Sequence, residues 1–212
     1  MAKKCIICAK PFTPKFKTTE RYCSNLDCKI KYAMQVASKQ KLLKEKKVKQ
    51  DWNKEKLQIK EKLKTLSEWK NDLQREINAI IREIDKGHGC IATKSHQGQQ
   101  HAGHYISVGS NETLRFHLEN IWLQSMHSNS WKGGDTIRYQ DGIVDLYGIE
   151  YLNHLNSLKS IETIKLSIGD IKEKIPIARG ILKWIKLQSR KFTTQERVIL
   201  RKKFNQEIGI YK

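Results

Sequence analysis

A chain of 212 residues has room for one ordinary domain or for a few small modules, and 38% hydrophobic against 30% charged residues is lean for a single large core. Lys and Arg outnumber Asp and Glu by 41 to 22, and the resulting charge of +19 points to a polyanion as partner, nucleic acid being the usual one. No run of about eighteen apolar residues exists to span a bilayer, and MAKKC leads into no apolar segment of a signal peptide, so a soluble, cytoplasmic protein is expected, without membrane contact.

Four of the five cysteines fall within the first 28 residues, as Cys5-x2-Cys8, fourteen residues, then Cys23-x4-Cys28. Two close pairs can set four thiolates tetrahedrally around one zinc, and the metal can replace the core that so small a unit lacks. Pro11 and Pro14 suit a turn-rich hairpin between the pairs, and the last pair leads straight into a helix-forming run, as in treble-clef knuckles. Residues 1–32 are therefore expected to be a structural zinc knuckle, with Lys3, Lys4, Lys10, Lys15 and Lys17 around it.

Residues 33–64 continue as a basic helical linker without Gly or Pro. Between Lys39 and Lys62 stand ten lysines and four carboxylates, and the sparse apolar residues keep no heptad register. A solvated spacer is one account; a helix that grips a phosphate backbone, through Lys44, Lys47 and Lys54 among others, is the second. Thr65 and Glu68 then form a capping box, and Leu66, Trp69, Leu73, Ile77, Ile80 and Ile84 recur at three- and four-residue steps. That pattern predicts an amphipathic helix, ending at Lys86-Gly87 where glycine permits a left-handed exit.

The stretch from His101 to Lys132 carries the candidate chemistry. His104 lies in an apolar-flanked segment, a polar turn follows, Asn120 precedes Ile121 and Trp122, and Asn129 comes three residues before Lys132. Strand, loop, strand and short helix is the plan of the HNH core, in which a compact ββα unit holds one divalent metal against a phosphodiester. Phosphodiester hydrolysis needs an activated water, a cation against the developing charge and help for the leaving oxygen. A neutral imidazole suits the first task near pH 7, and His104 is the candidate base. An amide oxygen suits magnesium or manganese, and Asn129 is the candidate ligand. Asn120 fits better as a backbone-bonding residue that holds the loop carrying the base, while Arg115 and Lys132 could neutralise phosphate. Each has an ordinary reading too: a histidine in a strand is often structural, and asparagines are common in turns and caps.

Beyond Gly133 and Gly134, residues 143–158 read as helix, turn and helix around Gly148. Residues 159–190 are a mixed basic segment interrupted by Gly169, Pro176 and Gly180. Thr193 or Thr194 caps a last helix, with Glu196 placed for a box and Val198, Ile199, Phe204 and Ile208 for a buried side.

AGHY at 102–105, LRF at 114–116, Asn120-Ile121, Gln124, Asn129, Lys132, Tyr139 and Tyr147-Gly148, together with the cysteine pairs and the lysine-rich helix, resemble the NinG/Rap phage recombination proteins. These are HNH-type endonucleases acting on branched DNA such as Holliday junctions and D-loops. The resemblance covers most of the chain and implies His104 as base. The family usually has a second zinc knuckle bracing its core; here Cys90 remains, but Thr93, Ser125 and Ser128 stand where its partners would be, so that zinc is expected to be absent. The family also tends to carry Asp three residues before the base, where this chain has His101, an imidazole that can bind a divalent metal as well.

The expected architecture is α+β: a mostly helical chain with an N-terminal treble-clef-like knuckle (1–32), a basic linker (33–64), a ββα-metal HNH core with its packing helix (65–158) and a basic helical C-terminal region (159–212). The expected function is metal-dependent cleavage of branched DNA by His104-activated water, with Asn129 and His101 holding Mg2+ or Mn2+ and zinc on Cys5, Cys8, Cys23 and Cys28. A homodimer would match two symmetric cuts. The rivals are a DNA-junction-binding accessory protein with a decayed core, and an HNH nuclease acting on linear duplex.

Overall fold

The computed structural model describes residues 2–16, 19–131 and 135–211. Lys17 and Lys132 lie outside the described residues. The chain divides into two compact units, residues 1–64 and 65–212.

The first unit opens with two short antiparallel strands, β1 (Lys3–Lys4) and β2 (Pro11–Phe12), in the register Lys3 to Phe12 and Lys4 to Pro11. The turn between them is closed by Ala9 N–H donating to the Cys5 carbonyl, with Ala9 in a left-handed conformation. Helix α1 (Leu26–Lys62) starts inside the cysteine cluster, because the Asn25 side chain caps it by accepting from the N–H groups of Asp27 and Cys28. Knuckle and basic helix are thus one continuous piece of chain. At ~1.5 Å per residue α1 extends for roughly 55 Å, and Cys28 is its buried residue; Leu43, Val48, Trp52 and Leu57 are all exposed.

The second unit is built on α2 (Leu66–Ile84), whose capping box joins Thr65 and Glu68 and whose Trp69, Leu73, Ile77, Ile80, Ile81 and Ile84 are buried. Beside it lies an antiparallel pair, β3 (Gln100–His104) with β4 (Ile121–Ser125), in which His101 faces Gln124, Gly103 faces Trp122 and His104 faces Ile121. Two short 3-10 segments, Glu112–Phe116 and Leu118–Asn120, connect the strands, and a π-helical turn, His127–Trp131, follows β4. Helix α3 (Thr136–Ser157) has the interruption expected at Gly148, whose φ of 82° and ψ of 167° are not helical.

Residues 168–188 differ from the sequence reading. They form one helix, α4 (Ile168–Gln188), with Pro176 inside it. A proline in a helix interior costs about 3 kcal/mol, but Ile171, Ile175, Ala178, Ile181 and Ile185 form one buried stripe, and that stripe packs on α2. Helix α5 (Thr194–Ile208) is capped by Thr193 with Glu196. Its buried side holds Arg197, Leu200, Arg201, Phe204 and Ile208, whereas Ile199 is exposed and Val198 half-buried. Because α4 and α5 share a core with α2, Ala102 and Ile121, residues 159–212 belong to the same compact unit as residues 65–158. Tyr105, Leu114 and Trp122 form a second core with Tyr139, Ile143 and Leu155 of α3. The β-pair is therefore held between helices on both faces.

The outer edge of β4 is closed by side chains and a loop instead of a third strand. Leu123 N–H donates to Asp85 Oδ2 at 2.9 Å, Ile91 N–H donates to the Leu123 carbonyl at 2.8 Å, and the Arg201 guanidinium donates to the Ile121 carbonyl at 3.3–3.4 Å. Arg201 also meets Asp85 Oδ2 at 2.7 Å and lies 3.6 Å over the Trp122 ring. Asp85 and Arg201 are both fully buried. An exposed two-stranded ribbon is marginal by itself; here the unpaired amides of β4 find partners within the core.

Candidate functional site

Cys5, Cys8, Cys23 and Cys28 place their sulfurs within 4.8 Å of one another, and Cys8 and Cys23 are 3.8 Å apart. Zn–S bonds of ~2.3 Å in a tetrahedron require sulfur separations of about 3.8 Å, so the cluster fits one zinc. Without metal the thiols differ. At Cys5 burial works upward, but the N–H groups of Cys8, Cys23 and Ile7 prevail and bring it down to about 6. Burial and the neighbouring thiols push Cys28 up to about 12. Loading zinc must therefore release protons, and affinity should fall as pH falls. Chelation of the zinc-loaded protein should unfold residues 3–28, seen by loss of their amide exchange protection. Retained protection in the chelated protein would show that the hairpin stands without metal.

His104 occupies the end of β3, half-buried. Its Nε2 lies 2.9 Å from the Arg115 carbonyl oxygen. A carbonyl only accepts, so Nε2 carries the proton and Nδ1 keeps the lone pair. Burial lowers the pKa of His104 below its ordinary 6.5; the Arg115 carbonyl opposes this and the Arg115 charge assists it. The ring is therefore neutral at pH 7, with one nitrogen free to take a proton.

Asn120 is buried and spans the loop that brackets this histidine. Its Oδ1 accepts from Ile106 N–H at 2.8 Å, and its Nδ2 donates to the Ile106 and Leu114 carbonyls at 3.0 and 3.3 Å. Tyr139 of α3 donates its hydroxyl to the Gly103 carbonyl at 2.9 Å, which holds the residue next to His104. Asn129 sits in the π-helical turn with its Oδ1 3.0 Å from where a side chain on Gly103 would begin, and Gln124 Oε1 is 2.1 Å from that point. With glycine at 103 the two amide oxygens sit where a larger residue would make them shift.

Strand alternation puts His101 and Gly103 on the α3 face with Gln124 and Asn129, and Ala102 and His104 on the α2 face. His101 and His104 are thus brought to opposite sides of β3. Among the described residues β3 pairs with β4 alone. His101 joins no cluster of three His, Cys, Asp or Glu ligands among the described residues. The Arg115 guanidinium donates to Asn71 Oδ1 at 2.7 Å, and Arg115 acts on His104 through both its carbonyl and its charge. Lys44, Lys47 and Lys54 are exposed along α1.

Cys90 is buried, within hydrogen-bonding reach of Thr93 and Ser125, and Ser125 Oγ is 3.3 Å from Ser128 Oγ. The side chains at these four positions therefore converge and are joined by hydrogen bonds.

Sequence reasoning passed over Asp85, Arg201 and the Tyr139 hydroxyl. Two signals were present: an acid at the C-terminal end of a helix, where the dipole disfavours it, and an arginine in the 197-201-204-208 stripe of α5. His117 was passed over as well. It is buried against Tyr211 and Asn205, and burial, assisted by the charge of His154, lowers its pKa from 6.5 to about 4. The folded state keeps the ring neutral while the unfolded chain protonates it. Its stabilising contribution is therefore complete above pH 6.5 and is lost as pH falls towards 4, by on the order of 3 kcal/mol. Urea titrations between pH 7 and 4 should show that loss, and His117→Gln should flatten it; equal slopes for both proteins would remove His117 as the cause.

No helix among the described residues is long and apolar enough to cross a membrane. No solved structure matches the chain. Among curated proteins, the chain is 29% identical over 163 residues to Protein ninG of Escherichia phage 933W, covering 73% of this chain and 80% of that one. It is 30% identical over 124 residues to Protein ninG of Escherichia phage lambda, covering 56% and 61%. The family model described as "NinG: Bacteriophage Lambda NinG protein" matches residues 1–188, and with that span matched the chain belongs to the NinG family.

Proposed function

We propose that the protein is a metal-dependent endonuclease that cuts branched DNA, Holliday junctions and D-loops, by water attack on a phosphodiester. The observation that carries this reading is the state of His104: one nitrogen spent on the Arg115 carbonyl, the other bearing a lone pair, and a pKa held below 6.5. A histidine kept neutral and oriented in this way is equipped to take a proton from water. Asn120 and Tyr139 hold the backbone on either side of it. Asn129, with His101 on the same face of the strand, supplies the oxygen and nitrogen donors that would hold Mg2+ or Mn2+. That ion, when bound, supplies positive charge against the phosphate oxygens.

Lys44, Lys47 and Lys54 of α1 provide charge for the phosphate backbone, so DNA affinity should fall steeply with salt. Two copies on a four-way junction would make the symmetric pair of cuts. The direct test is a labelled four-way junction with either metal: product from the wild type and none from His104→Ala, at equal binding, supports the enzyme. Binding without product from the wild type would support an accessory role, a reading favoured by the replacement of three thiols around Cys90. Equal rates on linear duplex of the same sequence would remove selectivity for branches.

A further inference from the structure

The apolar residues of α1 miss a heptad register because most of them follow an eleven-residue one, in steps of four, three and four. Ala33, Ala37, Val48, Trp52, Ile59 and Leu63 share one stripe of the helix, which Leu26 and Ile30 continue towards the knuckle. Such a repeat is close to the natural period of an α-helix, so the stripe runs almost straight. Val48, Trp52, Ile59 and Leu63 are 50–74% exposed, and both alanines are exposed too. A run of apolar surface on a helix this basic marks a contact surface. Leu42, Leu43 and Leu57 lie off the stripe, and Lys39, Lys46 and Lys60 point to the other side of the helix.

Three charged residues, Lys41, Lys44 and Glu55, occupy the remaining places in the stripe, and they decide what can cover it. Steps of four and seven residues either side of Val48 reach Lys44 and Trp52, then Lys41 and Glu55. Steps of eleven and fifteen reach Ala37 and Ile59, then Ala33 and Leu63. An antiparallel second copy centred on Val48 brings the members of each couple opposite one another. Lys41 then meets Glu55 of the second copy, its opposite charge, and Lys44 meets Trp52, a cation against a ring. Ala37 against Ile59, and Ala33 against Leu63, set small beside large, so the two helices can close evenly. The spacing alone makes the stripe symmetric about Val48; complementary residue types at all four steps are particular to this sequence. A parallel pair would instead set Lys41, Lys44 and Glu55 each against itself, and an antiparallel pair centred on Lys44 would oppose two lysines.

We infer that α1 is a homodimerisation helix, in which residues 33–63 pair antiparallel with the same segment of a second copy over roughly 45 Å. Two-fold symmetry makes each contact twice, because residue i meets j and j meets i. The lysines on the other side of each helix stay free for a polyanion. The pairing does not depend on the nuclease reading, which supplies only the use of two copies on one junction.

Sedimentation equilibrium of the full, zinc-loaded chain tests it, in about 0.3 M NaCl, where repulsion between the lysine-rich helices is screened. The wild type should sediment as twice 24.8 kDa. Lys41→Glu and Glu55→Lys should each weaken the dimer roughly 3–30-fold, because each places two like-charged pairs in the interface. The double variant Lys41→Glu/Glu55→Lys should return to within about three-fold of wild type. Trp52→Ala should also weaken the dimer, with an unchanged far-UV circular dichroism spectrum. A monomeric wild type would overturn the proposal, as would single charge variants that pair as tightly as wild type or a double variant that does not recover. Trp52→Ala with wild-type dimer mass but weaker junction binding would assign the stripe to nucleic acid and overturn it too. His104→Ala should keep the dimer; a wild type that cuts nothing would end the hydrolytic reading while the masses still decide the pairing.

Discussion

His104→Ala should lower the cleavage rate at saturating protein by about 10²–10⁴-fold, the usual loss when a general base is removed, with junction affinity within about two-fold of wild type. The prediction follows from the geometry at the end of β3. Nε2 is anchored to the Arg115 carbonyl, so the substitution removes the one ring nitrogen that can accept a proton, together with a single hydrogen bond. The pH profile adds a sharper check. The reactive form is the neutral ring, so the rate should rise with pH and level off. Burial lowers the His104 pKa, which places the midpoint of that rise below 6.5. Single-turnover rates from pH 5 to 8 measure it. A midpoint above 6.5, or a mutant as fast as wild type, would assign the proton transfer elsewhere.

Breaking the Asp85–Arg201 pair should be the most destabilising single change in the second unit. Removing one partner of a buried ion pair leaves an uncompensated charge in the core and typically costs about 3–5 kcal/mol. Arg201→Met should approach that range, because the fully buried Asp85 keeps only Arg197, at 3.5 Å, as counter-charge and the Ile121 carbonyl loses its donor at the same time. Asp85→Asn should cost less. Its amide oxygen can still accept from Leu123 N–H, but Arg201 and Arg197 lose their counter-charge. Urea unfolding of the wild type and both variants measures the differences. A loss below about 1 kcal/mol for Arg201→Met would show that β4 is held by its packing alone. The pair also bears on the site: β4 is the only strand bonded to β3 among the described residues, so loosening it should lower cleavage in Arg201→Met beyond the loss of folded protein.

The local elements of this chain are legible in its sequence because each depends on neighbours a few residues away. The Cys-x2-Cys and Cys-x4-Cys spacing brings four thiols within reach of one zinc. Thr65-x2-Glu68 and Thr193-x2-Glu196 form capping boxes where the spacing indicates. Gly148 interrupts its helix because its backbone conformation is not helical. Pro176 misled for the complementary reason: a local rule predicts a break, and burial of a five-residue stripe against α2 outweighs it.

What the candidate site can do, by contrast, is decided between residues far apart in the chain. The sequence offers seven histidines and does not say which are held neutral on a backbone carbonyl; the fold does this at His104 through Arg115 and at His88 through Phe192, and only His104 lies in the strand-loop-strand stretch. The Arg115 guanidinium donates to Asn71, 44 positions away, a pairing the sequence does not announce. Asp85 and Arg201 are 116 positions apart and read as surface charges until α5 packs over β4. Spacing determines helix ends, caps and the zinc cluster, because hydrogen-bond geometry and metal coordination act over a few residues. Tautomer, pKa and charge pairing follow from desolvation and direct contact, which exist only once the helices have closed around the two strands.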